Sequence, residues 1–329
     1  MQDIPKSRCV IVLLLLLIYP VGVSAFSFAV TSDAHCNART NGFRLAAEAI
    51  SKLGPQFMVT AGDMHRQSAC ESQLNAGLVT TEKEPGKDYL WYPVAGNHDM
   101  DKLANMQLLR DYNPGGKRLP FIVNQFSHCP ETVYSWDYQN AHFVALNLYC
   151  DSHDTSFRHW KDGKTVPRVA ENLYNWLKSD LESTDKQHIF VIGHTPMFPH
   201  ADIDWGGGEN AYSSSLVPIA ERDRFWKLLV QRKVLAYICG HYHAYFVDRE
   251  QGVWHIEMAQ AGRDIWNEGK PDDPVRRSSF AIITVDGNDV TYDTYRTPTP
   301  QDSRPYNHFE RGILAGGRRP KSDVVEDVR

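Results

Sequence analysis

The sequence predicts an α/β sandwich built as one domain. Three observations carry that prediction. Over residues 26–243, short apolar runs rich in β-branched and aromatic residues alternate with segments of helical apolar spacing. Four more strand-like runs then follow, separated by Gly or Asp turns. Five of the runs stop at a metal-capable or glycine-led polar group.

FSFAVTSD at 26–33 reads as a strand with an acidic end. GFRLAAEAISKLG at 42–54 sets Phe43, Ala46, Ala47, Ile50 and Leu53 at helical spacing and stops at Gly54. QFMVTAGD (56–63) and LWYPVAGNHD (90–99) give the second and third strands, and 101–112 a helix. TVYSWDY (132–138) and HFVALNLY (142–149) pair as an antiparallel hairpin turning near 139–141. A helix over about 168–182 carries Leu173, Trp176, Leu177 and Leu181 on one face. HIFVIGHTP (188–196) is a strand, and a helix over about 219–232 leads into KVLAYICGHYH (233–243). HAYFVDRE, GVWHIEMA, FAIITVDG and DVTYDTYR complete the set as short strands. Residues 151–167 and 200–215 read as loops, and 298–329, rich in Pro, Arg, Asp and Gly, as a loose tail. The domain therefore spans 26–297.

The 329 residues are 42% hydrophobic and 23% charged, enough for one large domain, and the net charge of -5 gives a polyanion-binding role no support. No dedicated nucleic-acid or protein partner is predicted. Lys6 and Arg8 precede an aliphatic run at 10–18, Pro20 breaks it, and Val23-Ser24-Ala25 fits a small-residue cleavage rule. Residues 1–25 thus read as an export signal, with Phe26 as the mature start and a secreted or periplasmic destination. The run falls short of the roughly 20 apolar residues of a membrane span, and an uncleaved anchor is the rival reading. Cys129 and Cys150 bracket the hairpin and fall nearly opposite each other, which predicts a disulfide. Cys36 and Cys70 each follow a strand end and could pair as well, while Cys239 reads as a buried thiol.

The five strand ends carry the chemistry. They are SDAH (Asp33, His35), AGDMH (Asp63), AGNHD (Asn97, His98), IGHTP (His194) and CGHYH (His241, His243). Ligand sites of open α/β sheets form beyond the carboxyl ends of strands, so groups scattered over two hundred positions can converge. In extended chain, residues i and i+2 share a side, which makes Asp33 with His35 and His241 with His243 two-pronged. Two carboxylates, one amide and four imidazoles suit Mn, Fe, Zn or Co and are too nitrogen-rich for a Ca or Mg cage. Seven donors exceed one tetrahedral zinc but suit two metals sharing a carboxylate.

The ordered set D-x-H, G-D, G-N-H-D, G-H and G-H-x-H resembles the calcineurin-like metallophosphoesterase superfamily over residues 33–243. The resemblance implies a four-layer α/β/β/α sandwich of two mixed sheets. It also implies a phosphoester hydrolase with two divalent metals and a bridging hydroxide that attacks phosphorus. By the same resemblance Asp33, His35 and His243 hold one metal, and Asn97, His194 and His241 the other. Asp63 bridges the two, and His98 lies beside the metals without ligating, as the catalytic residue that donates to the leaving group or stabilises the transition state. Many members carry a second aspartate three residues after the bridging one, which orients the catalytic histidine. Here that position is Arg66, which leaves open whether Asp99 or another carboxylate takes over. There is also no tyrosine ligand just past Asp63, unlike the purple acid phosphatase branch.

Arg66 is a candidate phosphate contact by its fork of donors. His65 is a second candidate substrate contact, with a surface position the preferred expectation. The substrate is a small phosphoester, monoester or diester; cyclic nucleotides and glycerophosphodiesters belong to the diester alternative. A non-catalytic metal- or phosphate-binding protein is the competing class, and its expected mark, a missing ligand, is absent from the sequence.

Overall fold

The computed structural model describes residues 24–36, 42–78, 90–100, 103–150, 167–198, 216–262, 277–298 and 305–316. The aliphatic run at 10–18 and the loop stretches at 151–166 and 200–215 lie outside the described residues.

β1 (Phe26–Thr31), β2 (Phe57–Thr60) and β3 (Trp91–Pro93) run parallel, with every residue of β2 and β3 buried. Strands covered on both faces read as continuous apolar runs, which is why these segments were legible. β11 (Ser279–Asp286), β12 (Asp289–Arg296) and β13 (Asn307–Ala315) continue that sheet antiparallel from β1. The second sheet begins antiparallel with β4 (Ile122–Gln125), β5 (Tyr134–Tyr138) and β6 (Ala141–Ala145). It continues parallel through β7 (His188–Ile192), β8 (Ala236–Cys239) and β10 (Val253–Glu257), with β9 (Phe246–Glu250) antiparallel at its edge. The orders are β13-β12-β11-β1-β2-β3 and β4-β5-β6-β7-β8-β10-β9, so both sheets are mixed.

An aromatic seam joins the sheets. Phe28 and Phe57 of the first meet Phe143 of the second edge-on at 5.1 and 5.4 Å between centroids, and Tyr92 stacks on Trp136 at 4.1 Å. The first sheet's other face is covered by α1 (Gly42–Leu53), α2 (Gln67–Leu78) and α3 (Leu103–Tyr112), with Phe43 and Tyr112 against Trp91. The second sheet buries its outer face under α4 (Glu171–Ser183) and α5 (Ile219–Gln231), through Leu173, Leu177, Phe225 and Leu229. The result is the expected four-layer α/β/β/α sandwich.

Both predicted disulfides form, Cys36–Cys70 and Cys129–Cys150, and Cys239 is a buried free thiol. The first bridge ties the segment after β1 to α2, a helix that apolar periodicity did not announce.

One boundary needs correction. A loose tail from 298 does not hold at 307–315, which are β13, the outermost strand of the first sheet. Its side chains are mostly half-buried or exposed, as at an edge, so it lacks an apolar signature. Packing places it instead: Gly312 leaves room for the Tyr292 ring, which any Cβ there would strike.

Candidate metal centre

All the parallel strands of both sheets aim their carboxyl ends at one region, and the five sequence motifs meet there. The turns that follow are not extended chain. Asp33 and His35 have φ of 49° and 42°, Asp63 and His65 of 56° and 59°, His241 and His243 of 79° and 54°. These are six of the ten non-glycine residues with positive φ among the described residues. Left-handed backbone is uncommon for residues with a Cβ and carries strain of order 1–3 kcal/mol each. The two-pronged motifs therefore do present i and i+2 together, but by alternating left-handed turns and not by strand geometry. This corrects the sequence-based rationale.

Backbone and carboxylate bonds hold the turns. Asp33 N–H donates to Gly62 O (3.0 Å) and His35 N–H to Asp63 O (2.9 Å), lacing the first two motifs together. Asp99, 1% exposed, accepts from four backbone N–H groups: those of Asp63, Met64 and His65 through both oxygens (2.9–3.0 Å), and that of Gly96 (2.8 Å). Two glycines are required by close approach. A Cβ at Gly96 would strike the Asp63 carboxylate, and one at Gly240 the Ser32 hydroxyl and Asp33 carboxylate.

Among the described residues the donor atoms fall into three groups: His35, His65 and His98 form one at the rim, and the other two share one residue. Asp33, His35, Asp63 and His243 form the first of these two, Asp63, His194 and His241 the second; within each, the ligand atoms lie within 4.8 Å of one another. Asn97 Oδ1 belongs with the second, 3.1 Å from His194 Nε2 and 3.0 Å from His241 Nδ1. Asp63 Oδ2 lies 3.2 Å from His194 Nε2 and 4.0 Å from His35 Nε2, between the groups. Asp33 Oδ1 stands 3.2 Å from His243 Nε2, 3.9 Å from His35 Nε2 and 4.0 Å from His194 Nε2.

Electrostatics agree with a cation-binding cage. Burial raises the Asp33 carboxyl, but the imidazoles of His243 and His194 outweigh it and bring it down to about 2. Burial likewise opposes ionisation of Asp63, and His194 and His98 overcome it. Burial pushes the His194 imidazole down, yet Asp63 and Asp33 lift it to about 10. His241 goes the other way, to about 3, through burial and the neighbouring His194. His35 is lowered by burial and then by His243. Asp33 Oδ1 is buried and takes no hydrogen bond among the described residues, nor does His35 Nδ1. A buried carboxylate oxygen left without a donor, facing imidazole nitrogens at 3–4 Å, fits a divalent cation.

His98 stands at the rim, its side chain 28% exposed, with Nε2 4.0 Å from Asp63 Oδ2 and its backbone N–H donating to Asp63 Oδ1 (2.8 Å). Arg66 is exposed, and its carbonyl accepts the first N–H groups of α2, from Ala69 and Cys70. His65 is half-buried and not a surface residue: its ring centroid is 4.5 Å from that of His35 and 4.4 Å from that of His98. The spacing D-x-H at 63–65, which repeats that at 33–35, is the signal for this that was available in the sequence. Asp99 as a clamp on backbone N–H groups had no such signal. Tyr242, between two donors, is 2% exposed and packs with Ala244.

The class is a two-sheet α/β sandwich with paired donor groups, sharing a carboxylate, that could hold metal ions at its strand ends. The chain belongs to the calcineurin-like phosphoesterase family, which its sequence matches over residues 26–245. It is 25% identical over 217 residues to tartrate-resistant acid phosphatase type 5 of Oryctolagus cuniculus, covering 63% of this chain and 61% of that protein. The human protein of that name is also 25% identical, over 220 residues covering 64% of this chain and 62% of that one. The chain thus spans about three-fifths of the length of these curated relatives. In structure it resembles a dimetal phosphatase from Danio rerio, with a TM-score of 0.57 at 15% identity, covering 89% of this chain and 99% of the other. It also resembles a purple acid phosphatase from yellow lupin seeds, with a TM-score of 0.59 at 13% identity, covering 94% and 58%.

Proposed function

We propose that this chain is an exported, metal-dependent phosphoester hydrolase working through two divalent ions. The observation that supports this best is the sharing of Asp63 between two complete donor groups. Asp33, His35 and His243 would hold one ion, Asn97, His194 and His241 the other, and Asp63 both. Two divalent cations supply positive charge against phosphoryl oxygens and make water acidic enough to act as a nucleophile near neutral pH. The chain's own part is to fix the donors. Asp99 clamps the β2 and β3 turns, and Ser32 Oγ donates to Asp33 Oδ2 at 2.6 Å, leaving Oδ1 for a cation. His98, at the rim with Nε2 toward the centre, donates a proton to the leaving oxygen. The two disulfides, the acid phosphatase relatives and the signal-like N-terminus support an oxidising, exported setting. No helix among the described residues is long and apolar enough to cross a membrane.

The test is to purify the chain, count metals by mass spectrometry, and compare p-nitrophenyl phosphate with bis-p-nitrophenyl phosphate, with and without chelator. About two ions per chain and chelator-sensitive turnover of either ester are expected. Less than one ion, with no turnover after Mn or Zn is supplied, sinks the reading. The ratio of the two rates separates monoesterase from diesterase.

A further inference from the structure

We propose that the Cys36–Cys70 disulfide positions His35, so that the first of the two ions binds tightly only in the oxidised chain. This deepens the dinuclear reading above and rests on it. Of the two bridges, only this one adjoins a donor. Cys36 follows His35 directly, whereas neither Cys129 nor Cys150 is next to any of the seven donors. Both bridged cysteines are buried, Cys36 in the segment after β1 and Cys70 in the first turn of α2. Three backbone bonds lay the first motif along the second: Asp33 N–H to Gly62 O, His35 N–H to Asp63 O and Cys36 N–H to Met64 O, at 2.9–3.0 Å. Met64 N–H is held in turn by Asp99 Oδ1 at 3.0 Å, and Cys70 Sγ lies 3.7 Å from Met64 O. Cys70 N–H donates to Arg66 O at 3.0 Å.

The turn that carries His35 is thus pinned to the Asp99-clamped turn by hydrogen bonds and to α2 by a covalent bond. It needs such constraint, because His35 sits at φ 42°, in strained left-handed backbone. Of the two groups that share Asp63, the bridge adjoins a donor of one only. The other group follows β3, β7 and β8, and its His194 ring is steadied by Ala61 O, 2.7 Å from Nδ1. Outer support of a ligand is worth about 10- to 100-fold in metal affinity. Loss of the bridge should therefore weaken the first ion by that factor and spare the second. The bridge forms by thiol–disulfide exchange with an external disulfide. One cysteine thiolate attacks it, the other resolves the mixed disulfide, and the oxidant leaves as two thiols that carry the two protons. In a reducing compartment the chain would hold one ion tightly; once exported and oxidised it would hold two.

The test counts zinc per chain by mass spectrometry at buffered free zinc. Wild type should fill two sites. Cys36→Ala/Cys70→Ala should hold about one ion at the free zinc that just fills wild type, and two at about 10- to 100-fold more. Cys129→Ala/Cys150→Ala should match wild type. His35→Ala separates positioning from general loosening: in that background, removing the bridge should cost the first ion no further affinity. The proposal is overturned if the first alanine pair fills like wild type, or if both ions weaken together. It also falls if the second pair loses the first ion equally, or if bridge loss costs the same with and without His35. If the first pair does not fold, Cys36→Ala/Cys70→Val, which refills the buried space, decides. If neither folds, the bridge holds the domain and not the centre, and the proposal falls. Wild type that binds two ions and hydrolyses neither ester overturns the hydrolase reading alone; wild type that never takes up a second ion overturns both.

Discussion

Two regions of this molecule bury imidazoles among carboxylates, and they differ in one respect. On the outer face of the second sheet, beneath α4, His142 (2% exposed) lies 2.7 Å by Nδ1 from Asp137 Oδ1 and 3.0 Å by Nε2 from Asp180 Oδ2. Asp180 Oδ1 also accepts from Asn124 (2.7 Å) and Ser135 (2.8 Å). Every charge there has a donor or acceptor, although the residues line a cavity of about 240 Å³. In the metal centre, Asp33 Oδ1 is buried with imidazole nitrogens around it and no hydrogen bond among the described residues. Five of its seven donors, Asp33, His35, Asp63, His241 and His243, also come from strained left-handed turns. The first arrangement is complete as folded; the second leaves a buried carboxylate oxygen among imidazoles, which a cation would complete. Satisfaction of the polar atoms, and not residue type, separates a structural cluster from a ligand site.

The largest effect that would break this comparison is expected from Asp63→Asn. It removes the charge shared by both donor groups, so bound metal should fall to below about one ion per chain and phosphoester turnover should vanish. Full metal occupancy in that variant, by mass spectrometry, would place the ions elsewhere. His98→Ala should come next, with kcat lowered about 10²- to 10⁴-fold and metal content kept. Loss of metal would move His98 from acid to ligand.

The comparison also shows what a sequence can reveal. Donors at strand ends were legible because each ends a buried apolar run, and because parallel strands send their carboxyl ends to one place. The backbone that aims them was not. Positive φ at Asp33, Asp63 and His241 comes from tertiary bonds to Gly62 O and the Asp99 and Asp33 carboxylates, invisible to local pattern. α2 was missed for a related reason. It is held by the Cys36–Cys70 bridge and by Gly77 fitting closely against Ala47 of α1, contacts that need no apolar stripe. β4 and β13 were missed because edge strands stay half-exposed.

The satisfied cluster should reveal itself through stability. Burial lowers the His142 pKa, but the bonds to Asp180 and Asp137 outweigh it and raise the folded value above the ordinary 6.5. Its contribution is therefore fully present below about pH 6.5 and lost as pH rises through the raised value. His142→Leu should cost about 3–5 kcal/mol, because it strands a buried carboxylate. In urea titrations with chelator present, the gap between wild type and variant should be wider at pH 6 than at pH 9. A gap that is flat with pH would mean that His142 is neutral, and the region would not be the charged, self-satisfied counterpart of the metal centre.

The smallest effect is expected at Arg66, and it sets the outer limit of the centre. The side chain is exposed at the head of α2, where water and salt screen its charge. An exposed cation attracts an anionic ester by no more than about 0.2–1 kcal/mol. Arg66→Ala should therefore raise KM roughly two- to fivefold at low salt and leave kcat unchanged, with the difference fading at about 0.5 M salt. A hundredfold fall in kcat that persists in salt would show the guanidinium forked onto the phosphoryl group in the transition state. The centre would then extend past the buried donors to the mouth of the site, and completeness of the buried set would no longer mark its edge.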